Sequence, residues 1–438
     1  MLMIGRRVGL ALALCASAAP LQALDAPAAG AQVDQALDRF YPELFALYTD
    51  IHAHPELGGQ ETRTAALLAA QMRALGFTVT EQVGGTGVVA VLRNGDGPTV
   101  LVRTHMDALP MEEKTGLAYA SRAQAEYNGQ PSFVAHSCGH DVHMAAWVGT
   151  ARTLAGMKDR WQGTLVFIAQ PAEETLQGAA AMLADGLYER FPKPDYAFGL
   201  HTGPYAAGQV LYRPGPLTSN SDTIEITFKG RGGHGSAPHT AIDPVLIAAR
   251  FLVDVQSVVS REKNPQQPGV ISFGSIHGGT AGNIIPDEVV LLGTVRSYAP
   301  EARATLLAGV DRVARASSAM AGAPEPEIRR PRAADSVVND PALTERTAAV
   351  FRAAFGEAAV AKPDYITASE DYSRYAQPGI SSLFFEIGIY DPARVEAASN
   401  GGEPLPFNHS PAYAPVPEPT IRTGVKAMTL AVLEVLGG

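Results

Sequence analysis

Thr223-Ile224-Glu225-Ile226-Thr227-Phe228-Lys229 alternates apolar and polar side chains without a break. A period of two is that of a strand with one buried and one wet face. Downstream, residues 243–260 carry a helical pattern, 270–276 and 288–298 read as strands, 300–321 as a second helix and 326–330 as a last short strand. The order β-α-β-β-α-β is that of the ferredoxin-like unit. Upstream the texture differs. Residues 87–92, 99–102, 164–168 and 196–200 are short apolar runs without alternation, and helical patterns at 142–157 and 179–187 fall between them. Two further helices are predicted over 34–49 and 62–75. Continuous apolar strands separated by helices predict an α/β domain with a mostly parallel sheet. That texture returns as a helix at 341–355, a strand at 382–387 and a helix at 419–436. The expected organisation is a larger α/β domain built from 24–218 and 332–438, with a small α+β domain inserted at 219–331.

The length of 438 residues fits two or three domains. With 46% hydrophobic and 18% charged residues the chain is of globular type. Lys and Arg number 34 against 44 Asp and Glu, a net charge of −10 without a basic run, which argues against nucleic-acid binding through phosphate contacts. No apolar run reaches the ~18 residues of a membrane span. Arg6 and Arg7 precede an apolar stretch at 8–19 and then small residues up to Ala23. This predicts a signal peptide over 1–23 and an exported protein, periplasmic or secreted, by the general or the twin-arginine route. Its removal leaves Cys138 as the single cysteine. No internal disulfide is then possible, and a lone thiol in an oxidising compartment is expected to be buried or to serve as a ligand.

Histidines and acids gather where the expected strands end. His105 and Asp107 follow one strand at i,i+2 spacing and can face one site. His136-Ser137-Cys138-Gly139-His140-Asp141-Val142-His143 precedes a helix. Cys138 and His140 cannot share a helix face, but in an extended loop turned by Gly139 they converge. Thiolate and imidazole are favoured zinc ligands. His143, one turn into the helix, either supports a ligand or simply packs. Glu173-Glu174 follows the strongest strand. Adjacent carboxylates repel, so a cation is expected nearby; one Glu can bind metal while the other reaches a water. His201 stands at another strand end and His409 near the C-terminus.

Eight stretches, 52–61, 103–110, 136–143, 170–174, 232–239, 283–287, 368–373 and 408–413, together resemble the di-metal family of aminoacylases, carboxypeptidases and succinyl-diaminopimelate desuccinylases. Within it the chain is most similar to the branch of hippurate hydrolases, N-acyl-amino-acid amidohydrolases and auxin-conjugate hydrolases. The resemblance implies two divalent ions, held by Cys138, His140, Glu174, His201 and His409, with Cys138 bridging. Zinc is the default, and manganese or cobalt suits mixed N/O/S ligands as well. The resemblance makes Glu173 the general base, Asp107 the acid that orients a ligand, and His234 and Asn283 substrate-binding groups of an inserted domain that also dimerises. One departure stands out: the branch has Asp where this chain has His105. Either His105 adds or replaces a ligand, or it only holds the loop.

The implied activity is hydrolysis of the amide bond of N-acyl amino acids or related conjugates to a carboxylic acid and an amino acid. A metal-activated water attacks, with Glu173 as base and then acid and His234 beside the oxyanion. An exopeptidase of the same family is the alternative. A thiol hydrolase would not need the Glu pair, and a non-catalytic binder would have no use for Glu173.

Overall fold

The computed structural model describes residues 24–362 and 364–437; the signal peptide expected at 1–23 lies outside them. The larger domain is organised on an eight-stranded sheet. Its order is Thr78–Val83, Gly87–Asn94, Gly163–Gln170, Thr99–His105, Tyr196–Ala206, Ser381–Tyr390, Val210–Tyr212 and Ala359–Ala361. The four central strands, from Gly163–Gln170 to Ser381–Tyr390, run parallel, and antiparallel neighbours flank them. The expected α/β class is observed. Side chains of the central strands alternate between two apolar layers. Val100, Val102, Leu165 and Phe167 face one, and Leu101, Val166 and Ile168 the other.

Helices Ala26–Ala53, His140–Gly156, Pro341–Phe355 and Pro417–Leu436 cover the first face. Ala26–Ala53 is longer than the sequence pattern predicted. The Asp25 carboxylate accepts the Ala28 N–H at 3.1 Å, capping a helix start hidden in an alanine-rich run. The second face is closed by helix Gly178–Ala184 and the short turn Asp371–Tyr375.

The smaller unit is an antiparallel sheet in the order Gly269–His277, Glu288–Ser297, Ser221–Lys229, Glu327–Arg329. Ile224, Ile226 and Phe228 bury their side chains against helices Pro244–Asp254 and Pro300–Met320. The connectivity is ferredoxin-like, as the alternation predicted. Ser221 pairs with Ala334 and Asp222 with Ala333, so the chain enters and leaves this unit side by side. Arg303 donates to both oxygens of Asp222 at 2.8 and 2.7 Å, and Asn220 to Ser297 Oγ at 2.7 Å, which ties the crossing to the unit's core.

Candidate metal centre and active-site cavity

Ends of the parallel strands deliver the reactive side chains to one place, the usual position of sites in open α/β sheets. Thr99–His105 ends on His105, with Asp107 just beyond. Gly163–Gln170 runs into Glu173 and Glu174 through Ala172, whose φ of 48° bends the loop. Buried Glu61 accepts the Ala172 N–H at 2.8 Å and the Thr86 hydroxyl at 2.6 Å, so the signature stretch 52–61 props up the Glu-Glu loop. Gly139 has φ 82°, and its left-handed turn places Cys138 before helix His140–Gly156 and His140 at its first position.

Cys138, His140 and Glu174 each bring one donor atom within 4.8 Å of the others. Cys138 Sγ lies 3.7 Å from His201 Nε2, and Glu174 Oε2 lies 3.3 Å from His409 Nε2. The structure therefore brings the five expected ligands together. Two of the imidazoles are oriented alike. His140 Nδ1 donates to the Asp107 carbonyl at 2.7 Å, and His201 Nδ1 to the Thr202 carbonyl at 2.8 Å. Each ring then presents an unprotonated Nε2 to the cluster, the arrangement typical of metal-bound histidine. Asp107 accepts the Glu174 N–H at 2.8 Å, with its second oxygen 3.4 Å from His140 Nδ1.

His105 and His143 behave differently. His143 Nε2 accepts the Thr202 N–H at 2.9 Å, so its proton is on Nδ1, 3.0 Å from His105 Nε2. His105 Nε2 is thereby occupied, and its Nδ1 lies 3.9 Å from Glu173 Oε2. Burial, and next the Arg103 charge, hold His105 well below the usual imidazole range; burial, and next His201, do the same for His143.

Glu173 is buried, 3.8 Å from His140 Nε2. Burial first, then Glu370 and Glu174, push its carboxyl well up. Burial also pushes Glu174 up, but its hydrogen bond to His409 and the charge of His140 outweigh that and lower it. Burial, then Glu174 and Glu173, raise the Cys138 thiol. Buried His140 Nε2 and Glu174 Oε1 have no hydrogen-bond partner. Orphaned lone pairs of nitrogen and oxygen beside a thiol are what a divalent cation satisfies, so the donor set fits a bound metal.

Under Glu173 lies a network that sequence reasoning missed. Arg103, fully buried, donates to both oxygens of Glu370 at 3.1 and 2.7 Å, to Asp371 at 3.1 Å and to Gln170 at 3.0 Å. Its carboxylate partners stand 267 and 268 residues away in the chain, beyond the reach of any local pattern. A second buried group sits behind the helix start. His52 contacts Asp141 at 2.6 Å and Glu113 at 3.1 Å. Burial alone would lower His52, but these hydrogen bonds win and raise it to about 10.

The cluster opens into a cavity of about 400 Å³. Glu173, Glu174, Cys138, His201 and His409 line it, together with Phe384, Phe407 and two groups not anticipated, Arg296 and Glu386. Arg296 reaches in from the smaller sheet, where it donates to Ser369 Oγ at 2.7 Å and to the Thr367 carbonyl at 3.3 Å. His234 and Asn283 are not among the lining residues. His234 sits on the two-stranded ribbon of Gly233–His234 and Ile284–Ile285 and Asn283 in the turn just before Ile284, both exposed. His234 Nδ1 accepts the Ser236 N–H at 3.1 Å, so Nε2 carries the proton and points outward as a donor.

Comparison with known proteins agrees with this geometry. Over 255 residues the chain is 42% identical to hippurate hydrolase of Campylobacter jejuni, covering 58% of this chain and 64% of that one. It is 33% identical over 359 residues to the N-acetyl-L-cysteine deacetylase of Bacillus subtilis, covering 80% and 82%. A crystal structure of a dinuclear metal-binding M20 peptidase from Bacillus subtilis superposes with a TM-score of 0.73 at 29% identity, covering 91% of this chain and all of the other. Residues 101–403 match the model of peptidase family M20/M25/M40. That span holds Cys138, His140, Glu173, Glu174 and His201, and it identifies the chain as a member of peptidase family M20/M25/M40.

Proposed function

We propose that the chain is an exported, dimeric metal-dependent amidohydrolase that cleaves N-acyl amino acids to a carboxylic acid and a free amino acid. The observation that carries this reading is the convergence of Cys138, His140, Glu174, His201 and His409 in one cluster at the cavity, with Glu173 beside them. Names of the relatives, hippurate hydrolase and N-acetyl-L-cysteine deacetylase, point to the same bond. Those five residues would hold two divalent ions, zinc by default and manganese or cobalt also suited, which when bound supply Lewis acidity and a more acidic water.

Glu173 accepts the proton of the attacking water and returns it to the leaving nitrogen. Arg103 with Glu370 and Asp371 fixes the ground beneath it. Asp107 orients His140 and the Glu174 main chain. Arg296 offers its guanidinium to the substrate α-carboxylate, matched in charge and fork geometry. His105 supports His143 and faces Glu173 rather than binding metal. His234 is a hydrogen-bond donor for the oxyanion and Asn283 its neighbour, and both act from the partner subunit. The edge strand Gly269–His277, which among the described residues has no strand on its outer side and exposes Val270 and Ile276, is the contact surface of two inserted units. The Arg6-Arg7 leader directs export. Among the described residues no helix is long and apolar enough to cross a membrane.

The test is a panel of N-acetyl and N-benzoyl amino acids and dipeptides, run on purified protein before and after chelation and after re-addition of zinc, manganese or cobalt. Turnover of N-acyl amino acids that disappears with the metal and returns with it is expected. Turnover that survives complete metal removal, or of dipeptides alone, refutes the reading.

A further inference from the structure

Glu386 lies on strand Ser381–Tyr390 directly beside His201, its register partner on the parallel strand Tyr196–Ala206. Partners in register project from the same face of a sheet. The carboxylate is thus delivered next to an imidazole of the metal cluster without belonging to that cluster. It is 5% exposed and lines the cavity, as does Phe384 two residues earlier on the same face. Lys362 Nζ donates to Glu386 Oε2 at 2.6 Å, and the Tyr205 hydroxyl to the same oxygen at 3.3 Å. Lys362 also bonds Tyr205 and sits over its ring, 4.5 Å from the centroid. Both donors therefore fall on Oε2, and Oε1 has no hydrogen-bond partner among the described residues. A side-chain carbon at Gly203 would strike the Tyr205 ring before it reached Oε1, so the glycine makes room for the ring that holds the hydroxyl against Oε2.

A carboxylate this deep is costly unless its oxygens meet donors. Lys362 and Tyr205 meet one oxygen and hold the group in place. A cavity meant for a purely apolar acyl chain would gain from Phe384 and Phe407 and lose from Glu386. We infer that Glu386 is a specificity-determining residue that receives an N–H or O–H donor on the acyl part of the substrate. The preferred substrates are then N-acyl amino acids whose acyl group carries an amine or hydroxyl, rather than simple acetyl or benzoyl conjugates. The acyl side is assigned because Arg296, from the other domain, takes the α-carboxylate. The inference rests on the amidohydrolase reading above.

Two matched series test it on the metal-loaded wild-type protein. One compares N-acetyl with N-glycolyl derivatives of one amino acid, which differ only in hydrogen or hydroxyl on the carbon next to the carbonyl. The other compares N-benzoyl with N-(3-aminobenzoyl) and N-(4-aminobenzoyl) derivatives. In at least one series the donor-bearing member should have kcat/KM about ten- to a hundred-fold higher, the range of a hydrogen bond to a charged group. The double variant Glu386→Leu/Lys362→Met removes both charges without stranding either. Its metal content should match wild type while the ratio of kcat/KM within that series falls toward one. Equal or better turnover of the unsubstituted acyl compounds in both series by wild type overturns the inference and leaves amidohydrolase activity intact. A preference that persists in a folded, metal-loaded double variant overturns it too. No turnover of any member by the metal-loaded protein refutes the amidohydrolase reading itself.

Discussion

His105 Nε2 and His143 Nδ1 lie 3.0 Å apart, and this bond divides four clustered imidazoles into two kinds. His105 and His143 spend a nitrogen on each other. His140 and His201 donate to main-chain carbonyls and keep Nε2 available. His105→Gln retains an acceptor near Nε2 for His143. Metal per subunit, read by elemental analysis, should stay at the wild-type value in His105→Gln and fall in Cys138→Ala. A loss of metal in His105→Gln would make His105 a ligand.

Glu173→Gln should retain metal and substrate binding while kcat drops ~10²–10⁴-fold, the usual contribution of a positioned acid–base group. Glu174→Gln should lose metal instead, because Glu174 contacts both His140 and His409. Metal analysis and substrate KM on the two variants would expose reversed roles as the opposite pattern.

The His52 pair predicts a pH-dependent stability. Its native pKa, raised to about 10, lies above an unfolded value of about 6.5. The stabilisation is therefore complete below about 6.5 and is lost as pH climbs toward 10. Urea midpoints of wild type and His52→Gln should differ most near pH 6 and converge at alkaline pH. A gap that stays constant across that window would mean His52 is not charged in the native state.

Mixing Glu173→Gln with His234→Ala under conditions that exchange subunits tests action across a dimer. One site of the heterodimer collects both defects and the other neither. Activity should recover toward half of wild type per mixed dimer. Heterodimers as inactive as their parents would place His234 outside the reaction or within its own subunit.

What the sequence made legible follows the reach of its patterns. Ile224, Ile226 and Phe228 announced the inserted sheet because one face is buried and the other wet. The apolar run in Gly163–Gln170 announced a central strand because it is covered on both sides. Strand Thr78–Val83 was missed: as an edge strand it is mostly part-exposed and carries Thr, Glu and Gln. The hairpin Gln124–Tyr127 and Gln130–Phe133 was missed for the same reason. At the site, residues grouped within a few positions, such as Cys138 with His140, were visible at once. Arg103 with Glu370, and Glu386 with Lys362 and Tyr205, depend on strand order and register, which local spacing does not encode. His234 reads as a site residue in the sequence yet stands exposed outside the cavity, on a ribbon of the inserted unit.

The side-by-side entry and exit at Ser221 and Ala334 gives the protein a modular construction. Two residues already paired across an antiparallel bridge could be joined by a tight turn, and every strand of the large sheet would keep its neighbours. All five donors of the metal cluster, Glu173 and Glu386 belong to the part that would remain. Arg296, His234 and Asn283 belong to the part that would leave. Mutation, recombination or a designed graft can therefore exchange the groups that the inserted unit brings to the cavity, Arg296 among them, while the cluster of Cys138, His140, Glu173 and Glu174 stays in place.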